Sequence, residues 1–212
     1  MSEPGSSARW MEWVRALQAI SQTGLHYAQN PYDVQRYREI GTLAAAMLAE
    51  HTTLDIAEIL TLHAAEFGYA TPKVDVRGIV FRDDRILLIS EIMDAGRWTV
   101  PGGWADVNET PAQAVVREVR EESGFETRAV KLLAVYDREQ QGHVPPFPFH
   151  VYKLFFLCEL IGGEARPNEE ASEIDFFARD ALPELSVSRV TDRQIQHFFD
   201  LRDRPDAATE FD

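Results

Sequence analysis

The chain has 212 residues, enough for one ample core or for a small helical unit followed by a larger domain, and its 45% hydrophobic and 26% charged residues are those of an ordinary globular protein. Acidic residues outnumber basic ones 35 to 21, a net charge of −14, which argues against a long nucleic acid as the main ligand but allows a small phosphate-bearing one bridged to carboxylates through metal ions. No run approaches the roughly 20 apolar residues of a membrane span, MSEPGSSAR lacks the features of an export signal, and the lone Cys158 rules out an internal disulfide, so the expected compartment is the cytoplasm, with no membrane partner.

Residues 1–70 read as a helical N-terminal domain. Trp10, Trp13, Val14, Leu17 and Ile20 recur at three- and four-residue spacings and predict one buried stripe. A second periodic segment after Pro31 carries Tyr37, Ile40, Leu43, Ala44, Met47 and Leu48, and a third from about Thr53 carries Ile56, Ile59, Leu60 and Ala64. Gly68, Thr71 and Pro72 end the helical pattern, which places a boundary near residue 70 and a second domain over 71–205.

From residue 74 the pattern turns to short strands, Val74 to Phe81, Arg85 to Ile92, a region around Val130 to Tyr136, and His150 to Leu160, with Asp83 and Asp84 at hairpin spacing. Helical signals interrupt them at Pro111 to Ser123 and near Thr191 to Phe199, so the class is α/β with a mixed sheet. The ends, MSEPGSS and RPDAATEFD, read as loosely ordered, with 206–212 set apart as a disordered tail.

The richest segment is Gly103 to Phe125, GWADVNETPAQAVVREVREESGF. Thr110 is placed as an N-cap with Pro111 at the first helical position. At 100° per residue Ala112, Val115, Val116 and Val119 cluster on one side, while Glu118, Glu121 and Glu122 cluster on another, with Ala114 one turn upstream. Three neighbouring carboxylates near a helix C-terminus repel one another and oppose the helix dipole, an arrangement that a counter-cation explains better than solvent does. Arg117, off that face, is placed to pair with Glu109. Just upstream, Trp98, Gly102 and Gly103 in RWTVPGGW suggest a tight turn that lets phosphate or metal approach the backbone. Trp98 and Trp104 either stack on a base or simply pack, and packing is the plainer reading.

The segment matches G-x5-E-x7-R-E-U-x-E-E-x-G-U, U being apolar, at every fixed position, and so resembles the Nudix box in full. The wider run Trp98 to Phe125, DREQ and HVYKLFFLCEL, with the helical N-terminal extension, resembles a Nudix branch of CDP-choline and ADP-ribose pyrophosphatase-like enzymes. The resemblance implies an α/β/α sandwich and Mg²⁺ as cofactor, with Mn²⁺ able to substitute, held by Glu118, Glu122, Glu121 and the carbonyl of Gly103. It also implies hydrolysis of the diphosphate bridge of a small nucleotide substrate to a nucleoside monophosphate and a phosphorylated partner, and a homodimer. The catalytic set is then Glu118, Glu121, Glu122 and Arg117, with Glu170 or Glu173 of EARPNEEASEIDF as a base outside the box. Trp98, Gly102, Trp104, Asp137 and Arg138 are the candidate substrate contacts. Attack on RNA ends and nucleotide binding without catalysis are the competing readings, disfavoured by the acidic balance and by the complete glutamate set.

Overall fold

The computed structural model describes residues 6–204 and 206–212, with residues 6–8 described in backbone alone. The expectation of a loose start therefore falls largely outside the described residues. Two compact units result, one of Met1–Pro72 with Pro146–His150, the other of Lys73–Pro145 with Val151–Asp212.

The first unit holds helices α1 (Ser6–Tyr27), α2 (Pro31–Glu50) and α3 (Ile56–Ala64). Asn30 caps α2 ahead of Pro31, and Asp55 forms a reciprocal capping box with Glu58 at α3, so each start satisfies backbone N–H groups that the helix leaves unpaired. Met11, Val14, Ala45, Leu48 and Ile59 form its core. The predicted stripe of α1 is rotated from the observed one, for Trp13 and Ile20 are 57% and 51% exposed while Met11 and Val14 are buried. The α1–α2 contact also uses small residues, with the Tyr37 ring against Gly24 and the Ser21 hydroxyl against Gly41, where bulky side chains would hold the helices apart. Leu43, expected inside, is likewise exposed.

The second unit is built on strands β1 (Lys73–Arg82), β2 (Arg85–Glu91), β3 (Arg97–Thr99), β4 (Phe125–Asp137), β5 (Val151–Gly163), β6 (Ala171–Ala178) and β7 (Glu210–Phe211), with helices α4 (Pro111–Ser123) and α5 (Asp192–Arg202). The sheet order is β3-β2-β1-β5-β4-β7, with β6 on β2. β1 runs parallel to β5 over Lys73–Val80 but meets β2 only at the hairpin, at Phe81–Ile86 and Arg82–Arg85. Beyond the hairpin the two strands part. Segment 101–105 fills the gap, giving bonds from Val76 N–H to the Gly103 carbonyl, from Gly78 N–H to the Pro101 carbonyl, and from Ala105 N–H to the Val74 carbonyl.

Strand alternation sends side chains to two cores. Val76, Val80, Leu87, Phe156, Cys158 and Phe176 pack under α4, with its Ala114, Val115 and Val119. Ile79, Ile86, Leu88, Leu133 and Phe155 pack under α5, with its Ile195 and Phe198, which makes three layers, helix, sheet and helix. Each such buried Val, Leu, Ile or Phe contributes about 1.5–3 kcal/mol. Ala114, expected beside the carboxylates, is instead wholly buried in the α4 core, because that helix buries a wider arc than its valines alone mark.

Two strand expectations shift. β4 starts at Phe125, directly after the helix, and residues 210–211, expected as part of a tail, pair with Ala134–Val135 of β4. The Glu210 carboxylate holds that end in place, accepting from the Tyr136 hydroxyl at 2.9 Å and lying 2.7 Å from His197 Nε2. Among the described residues no helix is long and apolar enough to cross a membrane.

Candidate active site

α4 starts where its sequence directs: the Thr110 side chain accepts from Gln113 N–H, Gln113 reaches back to Thr110 N–H, and Pro111 sits at the first turn. Its inner face lies so close to β1 that a side chain at Gly78 would meet Val119 Cγ2 at 2.4 Å. Gly78→Ala is therefore expected to destabilise the protein by about 1–3 kcal/mol in urea denaturation, the usual range for overpacking.

That close seat carries the last two turns of α4 onto the 101–105 segment. The Glu122 carboxylate is buried and accepts from Gly102 N–H at 2.6 Å. Gly102 has φ +142°, and a Cβ there would stand 2.1 Å from the Val76 carbonyl oxygen, so only glycine brings this N–H to Glu122. Gly103 faces Glu118, whose Oε2 would be 2.9 Å from a Cβ at that position. One lone pair of the Gly103 carbonyl, a candidate metal ligand, is already taken by Val76 N–H.

Arg117 organises the outer side. It forks onto Glu109 through Nε and Nη2, each at 3.0 Å, as its spacing predicts, and reaches Glu118 at 2.7 Å and Glu121 at 3.1 Å. The hydrogen bonds it donates to Glu109 first, then to Glu118 and Glu121, hold its guanidinium firmly in the charged form. The three carboxylates are not equivalent. Glu121 is half exposed, while burial raises the Glu118 carboxyl despite its Arg117 bonds. Burial pushes Glu122 up to about 8, Glu118 and Glu91 adding to the rise and Arg77 with Gly102 N–H opposing it.

Sequence reasoning missed the charged layer behind Glu122. Arg77 and Lys153 both bind Asp75, Arg77 with a fork at 2.6 and 3.0 Å and Lys153 at 2.6 Å, and all three are buried. Burial alone would raise the Asp75 carboxyl, but the two cations hold it below the usual range. Burial brings Lys153 down to about 7 against the pull of Asp75. Arg77 also donates to the Val100 carbonyl at 3.4 Å and so ties this layer to the glycine turn. Glu91, buried at the end of β2, is paired with Arg189 at 3.0 Å.

The structure brings Gly102, Gly103, Arg117, Glu118, Glu121 and Glu122 together. Glu170 lies in an exposed loop tied by hydrogen bonds to both α4 and the exit of β2. Glu173 does not join them. It pairs opposite Ser90 and alternates with Ile174 and Phe176, which pack under α4, so its side chain leaves from the other face of the sheet. Trp98 shares that other face, its ring edge-on to Phe177 at 4.7 Å, and is a packing residue. Trp104 is half exposed beside Gly103. Arg138 is buried and engages Glu139 at 2.7 Å and the Pro145 carbonyl at 2.9 Å, while Asp137 caps the short 3₁₀ turn through Glu139 N–H at 2.9 Å. Both side chains thus bond protein groups of that turn and the loop after it.

The donors offered around Gly103 are all oxygens, the chemistry preferred by hard divalent cations. The bare Cα of Gly103 leaves the space before Glu118 that a Cβ would fill. Burial of two like-charged carboxylates is likewise a cost that a cation offsets. Among the described residues no three His, Cys, Asp or Glu side chains stand in ready ligating geometry, and the carboxylates of α4 are engaged by Arg117 and Gly102 N–H. The donor set fits a divalent metal.

Comparison with known proteins gives the family of the chain. Residues 71–198 match the NUDIX domain, and residues 8–63 match a domain described as "UDP-X-like, N-terminal oligomerisation domain". YjhB of Bacillus subtilis (strain 168), provisionally named an ADP-ribose pyrophosphatase, is 42% identical over 204 residues, 96% of this chain and 97% of the relative. A crystal structure of a UDP-X diphosphatase superposes with a TM-score of 0.61 at 30% identity, covering 97% of this chain and 99% of that one. An ADP-ribose pyrophosphatase structure from Streptococcus suis 89-1591 gives a TM-score of 0.60 at 38% identity, covering 67% of this chain and 100% of that one. With the box complete, its helix seated on the glycine turn and its relatives matched from end to end, the chain belongs to the Nudix family and is a pyrophosphohydrolase.

Proposed function

We propose that the protein hydrolyses, with Mg²⁺, the diphosphate bridge of a nucleoside diphosphate joined to a second group, releasing a nucleoside monophosphate and a phosphorylated partner. The observation that carries this reading is the placing of Glu118 and Glu122 against Gly103 and Gly102, with Arg117 locked to Glu109 beside them. The names of the relatives favour ADP-ribose as first substrate, with UDP-linked compounds as the alternative, and the resemblance of the sequence adds CDP-choline. When bound, Mg²⁺ lowers the pKa of attacking water and screens the diphosphate charge.

The protein's own groups prepare that site. Glu118 and Glu122, with Glu121 beside them, are proposed to hold the ion, Gly102 N–H fixes the Glu122 rotamer, and Arg117 keeps the entry to α4 rigid. Trp104 is proposed to stack on the base, and Glu170 is the remaining candidate for a base outside the helix, since Glu173 leaves from the opposite face. Initial rates on ADP-ribose, CDP-choline, a UDP-sugar, a dinucleoside diphosphate and a nucleoside triphosphate, each with Mg²⁺ or with EDTA, test the reading. The expected result is Mg²⁺-dependent cleavage confined to diphosphate-bridged compounds. Preference for the triphosphate would overturn it.

The helical unit is proposed to join two copies. Its match to an oligomerisation domain and the exposed Trp13, Ile20, Leu43 and Tyr27 support this. Light scattering at micromolar concentration is expected to give twice the chain mass of 24.1 kDa, and substituting Trp13, Ile20 and Leu43 together by Ser is expected to reduce it. A native mass near one chain would contradict the dimer.

A further inference from the structure

Asn168 closes a hydrogen-bonded junction between the carboxylate helix and the opposite wall of the site. Its Nδ2 donates to the carbonyls of Glu121 at 2.7 Å and Glu122 at 3.2 Å, in the last turn of α4. Those carbonyls belong to the four that any helix leaves without intrahelical partners. The Asn168 Oδ1 accepts from the N–H groups of Glu170 and Ala171, each at 2.8 Å, and its own backbone N–H donates to the Ala171 carbonyl at 2.9 Å. Two further backbone bonds extend the junction. Arg166 N–H donates to the Ser123 carbonyl at 3.0 Å, and the Glu170 carbonyl accepts from Ile92 N–H at 3.0 Å, immediately after Glu91. A single amide thus links the turn that bears Glu121 and Glu122 to the loop that bears Glu170, and through it to the exit of β2.

We infer that Asn168 is a positioning residue of the hydrolytic site, fixing the last turn of α4, and with it the Glu121 and Glu122 side chains, relative to the Glu170 loop. The inference rests on the hydrolytic reading above and adds to it a residue outside the Nudix box. The chemistry requires an amide, since only Asn or Gln offers two donors and an acceptor from one planar group. An aspartate keeps the two acceptor contacts but sets a negative charge against two carbonyl oxygens at the negative end of the helix dipole. A glutamine has the same groups on a longer arm. The residue is exposed, so its loss leaves no core cavity and the variants are expected to fold.

The test uses the full chain with Asn168→Ala and Asn168→Asp. It measures kcat, KM, the Mg²⁺ concentration at half-maximal rate, the Tm and, separately from activity, Mn²⁺ affinity by electron paramagnetic resonance. Removing an outer partner of metal-holding groups typically costs about 10–100-fold in activity or metal affinity, and a loss of that order is expected in kcat and in Mn²⁺ affinity. KM is expected to stay within about threefold, since the contact lies on the helix and not on the substrate. Asn168→Asp is expected to be at least as impaired as Asn168→Ala, although it keeps the acceptor. Variants with native kcat and native Mn²⁺ affinity, even with a lowered Tm, would show that Asn168 merely closes a turn and would overturn the inference. If the native chain hydrolyses nothing, the functional reading fails instead, and Mn²⁺ affinity of the variants decides the junction independently.

Discussion

Glu122→Gln is expected to abolish turnover while making the metal-free protein more stable at alkaline pH. Glutamine keeps an oxygen for Gly102 N–H but cannot carry the charge that a divalent ion needs, so kcat should fall on the order of 10³-fold, several kcal/mol of lost transition-state stabilisation. The stability gain follows from the raised carboxyl. In the unfolded chain Glu122 ionises near the ordinary glutamate value, whereas in the fold it holds its proton up to about 8. Below the unfolded value both states are protonated and nothing is lost. Between that value and about 8 the unfolded state alone releases the proton, so native stability falls as pH rises, and above about 8 the whole penalty is present. Urea denaturation in EDTA should show the variant more stable by about 2–4 kcal/mol at pH 9, with the difference vanishing at pH 4. A variant less stable than native at pH 9 would mean that Arg77 and Gly102 N–H already compensate the carboxylate without a metal.

The second large effect concerns the buried charges behind the site. Asp75→Asn removes the hydrogen-bonded counter-ion that Arg77 and Lys153 share and leaves Arg77 only the electrostatic pull of Glu122 and Glu91. Lys153 escapes by losing its proton, since burial already holds it at about 7, but the guanidinium of Arg77 has no such exit. The expected loss is about 3–5 kcal/mol, the usual cost of breaking one side of a buried ion pair. Lys153→Met is expected to behave differently, because it removes a desolvated cation and leaves the Asp75–Arg77 fork intact. The depressed Lys153 penalises the fold at neutral pH and ceases to do so as pH rises to the ordinary lysine value. Lys153→Met should therefore lie within about 1 kcal/mol of native at pH 7, and any advantage should fade towards pH 10. Urea midpoints at both pH values check this, and equal damage from both variants would contradict the assignment of Arg77 as the principal partner of Asp75.

Much of the site was legible because its parts are close in sequence. Thr110–Pro111, the valine spacing and the Arg117–Glu109 interval each state a local geometry that the fold keeps. The charged layer was not, because Asp75 and Lys153 are 78 residues apart and meet only through the parallel pairing of β1 with β5. One signal for it was present in the sequence, a single lysine within the apolar run VYKLFFL, where an ion survives only with a partner. VDVRGIVF reads as a strand, and the structure buries both of its sides, Asp75 and Arg77 on one and Val76 and Gly78 on the other. Asn168 and Glu91 carry no local pattern at all, since each matters only through what the folded chain places beside it. The helical unit misled in the opposite direction. Its apolar periodicity spans more than one face, so spacing alone did not decide that Met11 turns inward and Trp13 outward.

Product analysis by phosphorus NMR of ADP-ribose incubated with the native protein and Mg²⁺ tests the central claim most directly. The account predicts two phosphomonoesters in equal amounts, AMP and ribose 5-phosphate, with no orthophosphate and no reaction in EDTA. Orthophosphate as the first product, or cleavage undiminished in EDTA, would contradict a diphosphate bridge split at the carboxylate face of α4.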